Sequence, residues 1–116
     1  MKDWRNIRLE LARAPEFPNG SVSRAYLLRL PLDDSDFVDE AMLLQNPRLG
    51  TVRRYWSNSP DQTGLVQKLD GVLIINCEGE SARILRLDGR SICLGQEFSL
   101  IESDGDAQVF RVTSIR

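Results

Sequence analysis

The stretch Leu65-Val66-Gln67-Lys68-Leu69-Asp70-Gly71-Val72-Leu73-Ile74-Ile75-Asn76-Cys77 decides the fold. Asp-Gly between two apolar runs marks a two-residue type I′ hairpin, because both central residues must take positive φ and these two tolerate it. The turn pairs Leu69 with Val72, Gln67 with Ile74 and Val66 with Ile75. Large apolar side chains then fall on both faces of the ribbon. Such a ribbon is either sandwiched within the fold or presents one face to a partner.

Working outward, the same reading extends toward the C-terminus. Asp88-Gly89 predicts a second hairpin, with Ala82–Leu87 against Arg90–Leu94, pairing Leu85 with Ile92 and Ile84 with Cys93. A third hairpin turns near Asp104-Gly105-Asp106. A three-residue loop there pairs Phe98 with Val112, Leu100 with Phe110 and Ile101 with Val109, whereas a two-residue loop places Phe98 opposite Arg111. A slip of one residue moves every side chain to the other face, so burial selects the longer loop, with Asp106 near the left-handed region.

On the N-terminal side, Ile7, Leu9 and Leu11 alternate with polar neighbours, as a half-buried strand requires. Two prolines and Asn19-Gly20 end that strand. A second strand, about Val22 to Leu32, carries Tyr26, Leu28, Leu30 and Leu32 on one parity, and Pro31 predicts a strand terminus or edge there. Residues 36–45 read as the one short helix, with Asp36 as N-cap, Asp39 and Glu40 in the first turn, and an apolar face of Phe37, Ala41 and Leu44 flanked by Val38 and Met42. Asn46-Pro47 stops it. Thr51–Trp56 is a strand, and 57–64 a polar loop. The expected fold is mainly β: a small antiparallel barrel-like or curled meander sheet of about seven or eight strands, closed or capped by the helix.

One domain spanning residues 1–116 suits the length. Hydrophobic residues make up 41% and charged residues 28%, the composition of a soluble globular chain rather than a disordered one. Apolar runs stop at four residues, too short for a transmembrane helix. The charged N-terminus lacks the apolar core of a secretory signal, and the two cysteines, Cys77 and Cys93, read as buried reduced thiols; both predict a cytoplasmic protein. The absence of histidine closes off histidine-dependent triads, histidine metal ligands and a histidine pH switch. No cofactor or metal site is spaced in the sequence: Asp33, Asp34, Asp36 and Asp39 lack the glycine turn and distal Glu of a cation loop. Nor does Asn19-Gly20-Ser21 precede a helix, as a phosphate loop would.

Three blocks, Arg8-Leu9-Glu10-Leu11-Ala12-Arg13-Ala14-Pro15-Glu16-Phe17-Pro18-Asn19-Gly20-Ser21, Val52-Arg53-Arg54-Tyr55-Trp56, and Gly95-Gln96-Glu97-Phe98 with Asp104-Gly105 and Phe110-Arg111-Val112, resemble a group of small, uncharacterised bacterial proteins of about this length. The resemblance is scattered over most of the chain, departs from the group's pattern in the middle, and implies no activity.

The candidate binding residues are Arg53, Arg54, Tyr55 and Trp56. Guanidiniums interleaved with aromatics could clamp a phosphate or stack on a base. Against this stands a structural reading, favoured by the general solvation of charged side chains. In it Val52 and Trp56 are core, and the arginines pair with Asp33, Asp34, Asp36 or Asp61 and lie flat over the aromatics. Arginine outnumbers lysine thirteen to two, a preference that suits bidentate anion recognition but equally reflects compositional habit. Charge is segmented, −5 over 31–46 and +3 over 47–58, within a formal net charge of −2. No catalytic set emerges. The leading expectation is a non-catalytic module acting through protein–protein contacts, including a homodimer through the doubly apolar ribbon. The alternatives are an anion- or nucleic-acid-binding module centred on Arg53–Trp56 and, behind it, a carboxylate-based enzyme.

Overall fold

The Asp70-Gly71 turn forms as a type I′ hairpin, with φ of 48° and 81° at its two residues. In the computed structural model, which describes residues 3–102 and 105–116, that hairpin joins β4 (Gln62–Leu69) to β5 (Val72–Cys77) in the expected register, Leu69 against Val72 and Val66 against Ile75. The remaining strands are β1 (Asp3–Arg13), β2 (Ser21–Leu32), β3 (Thr51–Trp56), β6 (Arg83–Arg86), β7 (Glu97–Ile101) and β8 (Ala107–Ile115). Each pairs antiparallel with its sequence neighbour, and β8 returns to β1, so the sheet closes as an eight-stranded meander barrel. Closure removes both sheet edges. Strand β4 begins at Gln62, inside the stretch expected to be loop. There Gly64 lies so close to β5 that a Cβ on it would sit 1.7 Å from the Asn76 carbonyl oxygen.

The inward rows carry the core. Leu73, Leu85 and Leu100 meet side by side across β5, β6 and β7, and Leu11, Phe110 and Phe98 across β1, β8 and β7. Tyr26 packs edge-on against Phe110 at 5.2 Å between ring centroids. All of these side chains are buried. Pro31 lies beyond the last β2–β3 pair, Leu28 with Val52, so its missing N–H leaves no gap in that ladder.

Two hairpins depart from expectation. Asp88-Gly89 does turn, with φ of 54° and 69°, but residues 90–96 form no strand. Leu85 and Ile84 instead pair with Leu73 and Ile74 on one side and with Leu100 and Ile101 on the other. Ile92 folds inward, its N–H donating to the Asp36 carbonyl at 2.8 Å. Cys93 on that segment is exposed, while Cys77 is buried and both thiols are free. In the third hairpin Phe98 faces Phe110 and Leu100 faces Gln108, two residues away from the expected register. A slip of two preserves parity, so Phe98, Leu100, Phe110 and Val112 all remain buried. The left-handed position falls on Gly105 (φ 91°) rather than Asp106. Ser103 and Asp104, part of the expected turn, lie outside the described residues.

The helix, α1, is Glu40–Gln45, four residues shorter at its start than expected. Asp33 accounts for the difference: its Oδ1 accepts from the N–H of Ser35 and of Phe37, curling the acidic run into a turn. Asp36 then has φ of 65° and cannot start a helix. Asp39 caps instead, accepting from the Met42 N–H at 3.1 Å. Of the expected apolar face only Val38 is buried, joined by Leu43, while Phe37, Ala41 and Leu44 are exposed, Leu44 by 72%. With Leu87 and Ile92, these residues seal the barrel end where β2 leaves and β3 begins.

On the outer wall, Glu97 of β7 clamps the closing seam. It accepts from Arg13 of β1 at 2.7 and 3.2 Å and from Arg111 of β8 at 2.7 Å. The Arg13 hydrogen bond, then that of Arg111, hold its carboxyl down to about 2 from 4.5. Its folded-state value lies below the unfolded one, so the clamp's contribution is complete above about pH 4.5 and lost as pH falls toward 2. Acid unfolding of Glu97→Gln, followed by circular dichroism, should therefore show a shallower loss of stability across that interval than the parent.

Candidate functional site

Alternation along β3 divides the four candidate residues between two surfaces. Val52 is buried among the interior residues, which places Arg54 and Trp56 inward and Arg53 and Tyr55 outward. The quartet therefore does not converge on one site.

On the outside, Arg53 belongs to a row that crosses five strands: Ser114, Arg8, Leu27, Arg53 and Thr63, each paired with the next. A cleft of about 510 Å³ lies over this wall, lined by Arg29, Arg53 and Glu78 with Asn6, Leu27 and Thr63 among others. A second cleft, about 340 Å³, shares Asn6 and Leu27 and is lined by Arg8 and Arg116. Arg8 is tied to Glu10 at 2.8 Å. Among the described residues, Arg29, Arg53 and Arg116 have no carboxylate within ion-pair distance; Arg29 donates to Asn6 Oδ1 at 3.2 Å. The Tyr55 ring lies between two guanidinium carbons, Arg8 at 5.9 Å and Arg53 at 5.8 Å from its centroid. Arg53 is also drawn toward the Tyr55 hydroxyl, to which it donates at 3.5 Å.

On the inside, Arg54 and Trp56 stand at the barrel end opposite α1. The Arg54 guanidinium lies over the Trp56 ring at 4.0 Å, and Arg24 is flanked by Phe17 at 4.3 Å and Trp56 at 5.0 Å. A polar belt runs on around the mouth. Arg54 donates to Gln62 at 3.5 Å, Gln62 to Glu80 at 2.9 Å, and Arg83 faces Glu80 at 3.7 Å and donates to Glu102 at 2.6 Å. Beneath the belt, burial pushes the Tyr26 phenol up to about 12, partly opposed by the Arg83 and Arg54 charges. Burial likewise raises the Cys77 thiol, which disfavours the thiolate. The two acids of the mouth are both committed to Arg83, so they do not form the free pair that a carboxylate-based enzyme would use.

Of the aspartates the structural reading offered, Asp61 acts on Arg53 through its charge; Arg54 lies flat over an aromatic face, as that reading also expected, and donates to an amide rather than to a carboxylate. Sequence reading missed Arg24, Tyr26, Arg83 and Gln108, which come from three strands remote in sequence, β2, β6 and β8. A charged residue at an inward parity position, as Arg83 is beside Leu85, was the available signal. Among the described residues no group of three or more Cys, Asp or Glu side chains is placed to hold a metal. No helix is long and apolar enough to cross a membrane.

Comparison of the chain with protein-family models, with curated proteins and with solved structures finds no match.

Inner and outer placement predicts unequal stability effects. Arg54→Ala uncovers Trp56 and strips the belt of a member, and should cost about 1–2 kcal/mol in urea unfolding. Arg53→Ala, on the solvent side, should change stability by less than about 0.5 kcal/mol.

Proposed function

We propose that the protein is a non-catalytic binding module whose outer wall over β8, β1, β2, β3 and β4 binds the phosphates of single-stranded nucleic acid. The observation that carries this reading is the 510 Å³ cleft lined by Arg29 and Arg53, neither of which has an ion-pair contact with a carboxylate among the described residues, although Glu78 also lines the cleft and the Asp61 charge acts on Arg53. Guanidiniums without an ion-pair partner on a concave surface attract phosphate and can grip it with two donors. Arg8 and Arg53 are two strand spacings apart, about 10 Å, so they would meet separate phosphates. Leu27 between them and Tyr55 beside them offer apolar and aromatic surface to an unpaired base. The overall charge of −2 does not oppose this, because five of the acidic residues cluster over 33–40 and screening confines the effect of distant charges to about 8 Å in physiological salt.

A fluorescently labelled single-stranded oligonucleotide, followed by anisotropy at low salt, tests the reading. Three arginine–phosphate contacts predict a slope of log K against log salt of about −2, and the double variant Arg29→Ala/Arg53→Ala should lower it by about 1.4. Binding that is absent at low salt, or undiminished in that double variant, refutes the proposal.

A second reading rests on a different wall. Ile74, Ile84 and Ile101 form an outward row across β5, β6 and β7, and exposed Leu69 and Leu44 border an adjoining groove of about 260 Å³. This supports self-association as a homodimer through the ribbon's outer face. Light scattering across a concentration series should give twice the monomer mass for the parent and the monomer mass for Ile84→Arg. A parent that stays monomeric throughout removes this reading.

A further inference from the structure

At the uncapped end, the inner wall of the barrel changes from hydrocarbon to guanidinium, phenol and amide. Arg83 is only 6% exposed, and although Glu102 and Glu80 take two of its nitrogens, Nη1 is buried without a partner. The Tyr26 side chain is fully enclosed, and its hydroxyl also lacks a partner. Nε of Arg54 and Nε of Arg24 are buried in the same condition, as is the acceptor Oε1 of Gln108. Folded proteins satisfy nearly all buried polar atoms, so a concentration of unsatisfied ones at one end of one barrel calls for something that meets them there.

We infer that this mouth binds a small oxyanion, a carboxylate or phosphate group, through Arg54, Arg83 and Tyr26. The surplus is of donors: three guanidinium nitrogens and a phenol against a single amide oxygen. Charge agrees, because Arg24, Arg54 and Arg83 outnumber Glu80 and Glu102 by one. Tyr26 stays protonated throughout the neutral range and so remains a donor. The groups are also held in place beforehand: Trp56 fixes the plane of Arg54 by stacking, and the Glu102 hydrogen bond fixes Arg83. Fixed donors lose little entropy when an anion arrives. Arg54, Trp56, Arg24 and Gln108 are each part-exposed, so the rim that covers these buried donors reaches solvent. The site is separate from the outer wall, since Arg53 and Arg29 face away from it.

Trp56 is the natural reporter. In a Trp4→Phe background it is the sole indole, and its emission can be followed while sodium phosphate or sodium acetate is added, with sodium chloride at matched ionic strength as control. A saturable change with phosphate, acetate or both, and none with chloride, is expected; the stronger of the two identifies the oxyanion. Arg54→Gln should weaken binding about tenfold, and Tyr26→Phe several-fold, while Arg53→Gln leaves it unchanged. Tyr26→Phe keeps the ring and its packing, so it decides the matter even if Arg54→Gln does not fold. No saturable change with either oxyanion, or binding that survives both inner substitutions intact, overturns the inference. Loss of binding in Arg53→Gln also overturns it, by moving the site to the outer wall.

Discussion

Pairing of β1 with β8 is the interaction on which the rest of the molecule depends. Leu9 against Val112 and Leu11 against Phe110 turn an open meander into a ring, and a ring gives every strand two neighbours. Once the ring is closed, alternation has a fixed meaning around the whole circumference: one parity is interior, the other exterior. That single distinction sorts Arg54 from Arg53 and Trp56 from Tyr55. The seam is not regular, however, since register shifts interrupt it between Arg8 and Leu9 and between Leu11 and Arg13. Such irregularities bend and twist a strand strongly, as a small barrel needs where it closes. The Arg13–Glu97–Arg111 clamp spans this seam from outside.

Strand identity was legible because period-two patterning is local and strong. Ile7, Leu9 and Leu11, and Tyr26 through Leu32, announce their buried faces without help from the rest of the chain. The Asp70-Gly71 register was also legible, since a type I′ turn dictates pairing through local backbone geometry alone. What was not legible required knowledge of third parties. Asp88-Gly89 makes an equally good turn, but the strand partner of β6 is β7, because Leu100 and Ile101 compete better than the short 90–96 segment for its free edge. The helix start shows the same limit in miniature. Asp36 is a sound N-cap in isolation, and a side-chain turn at Asp33 shifted the start of the helix to Asp39.

The candidate binding residues illustrate a further kind of limit. Four consecutive residues on a strand cannot share a face, so a cluster that looks unified in sequence must divide in space. The division here gives two chemically distinct surfaces. Outside, arginines stand in solvent with a leucine and a tyrosine between them. Inside, arginines are stacked on aromatics and threaded into a belt of amides and carboxylates. The partners that complete each surface, Arg8 and Arg29 for one and Tyr26, Arg83 and Gln108 for the other, come from distant strands and were invisible without the barrel.

The two ends of the barrel differ in kind, and this has a bearing on how the protein can change. One end is plugged with hydrocarbon from Val38, Leu43, Leu87 and Ile92, where almost any replacement leaves a void or a clash. The other is finished with polar groups carried near the tips of hairpins, where exchanging one hydrogen-bonding residue for another disturbs little packing. Specificity can therefore drift at the polar rim while the oily plug keeps the chain folded, so descendants of this scaffold could acquire new ligands without first being stabilised.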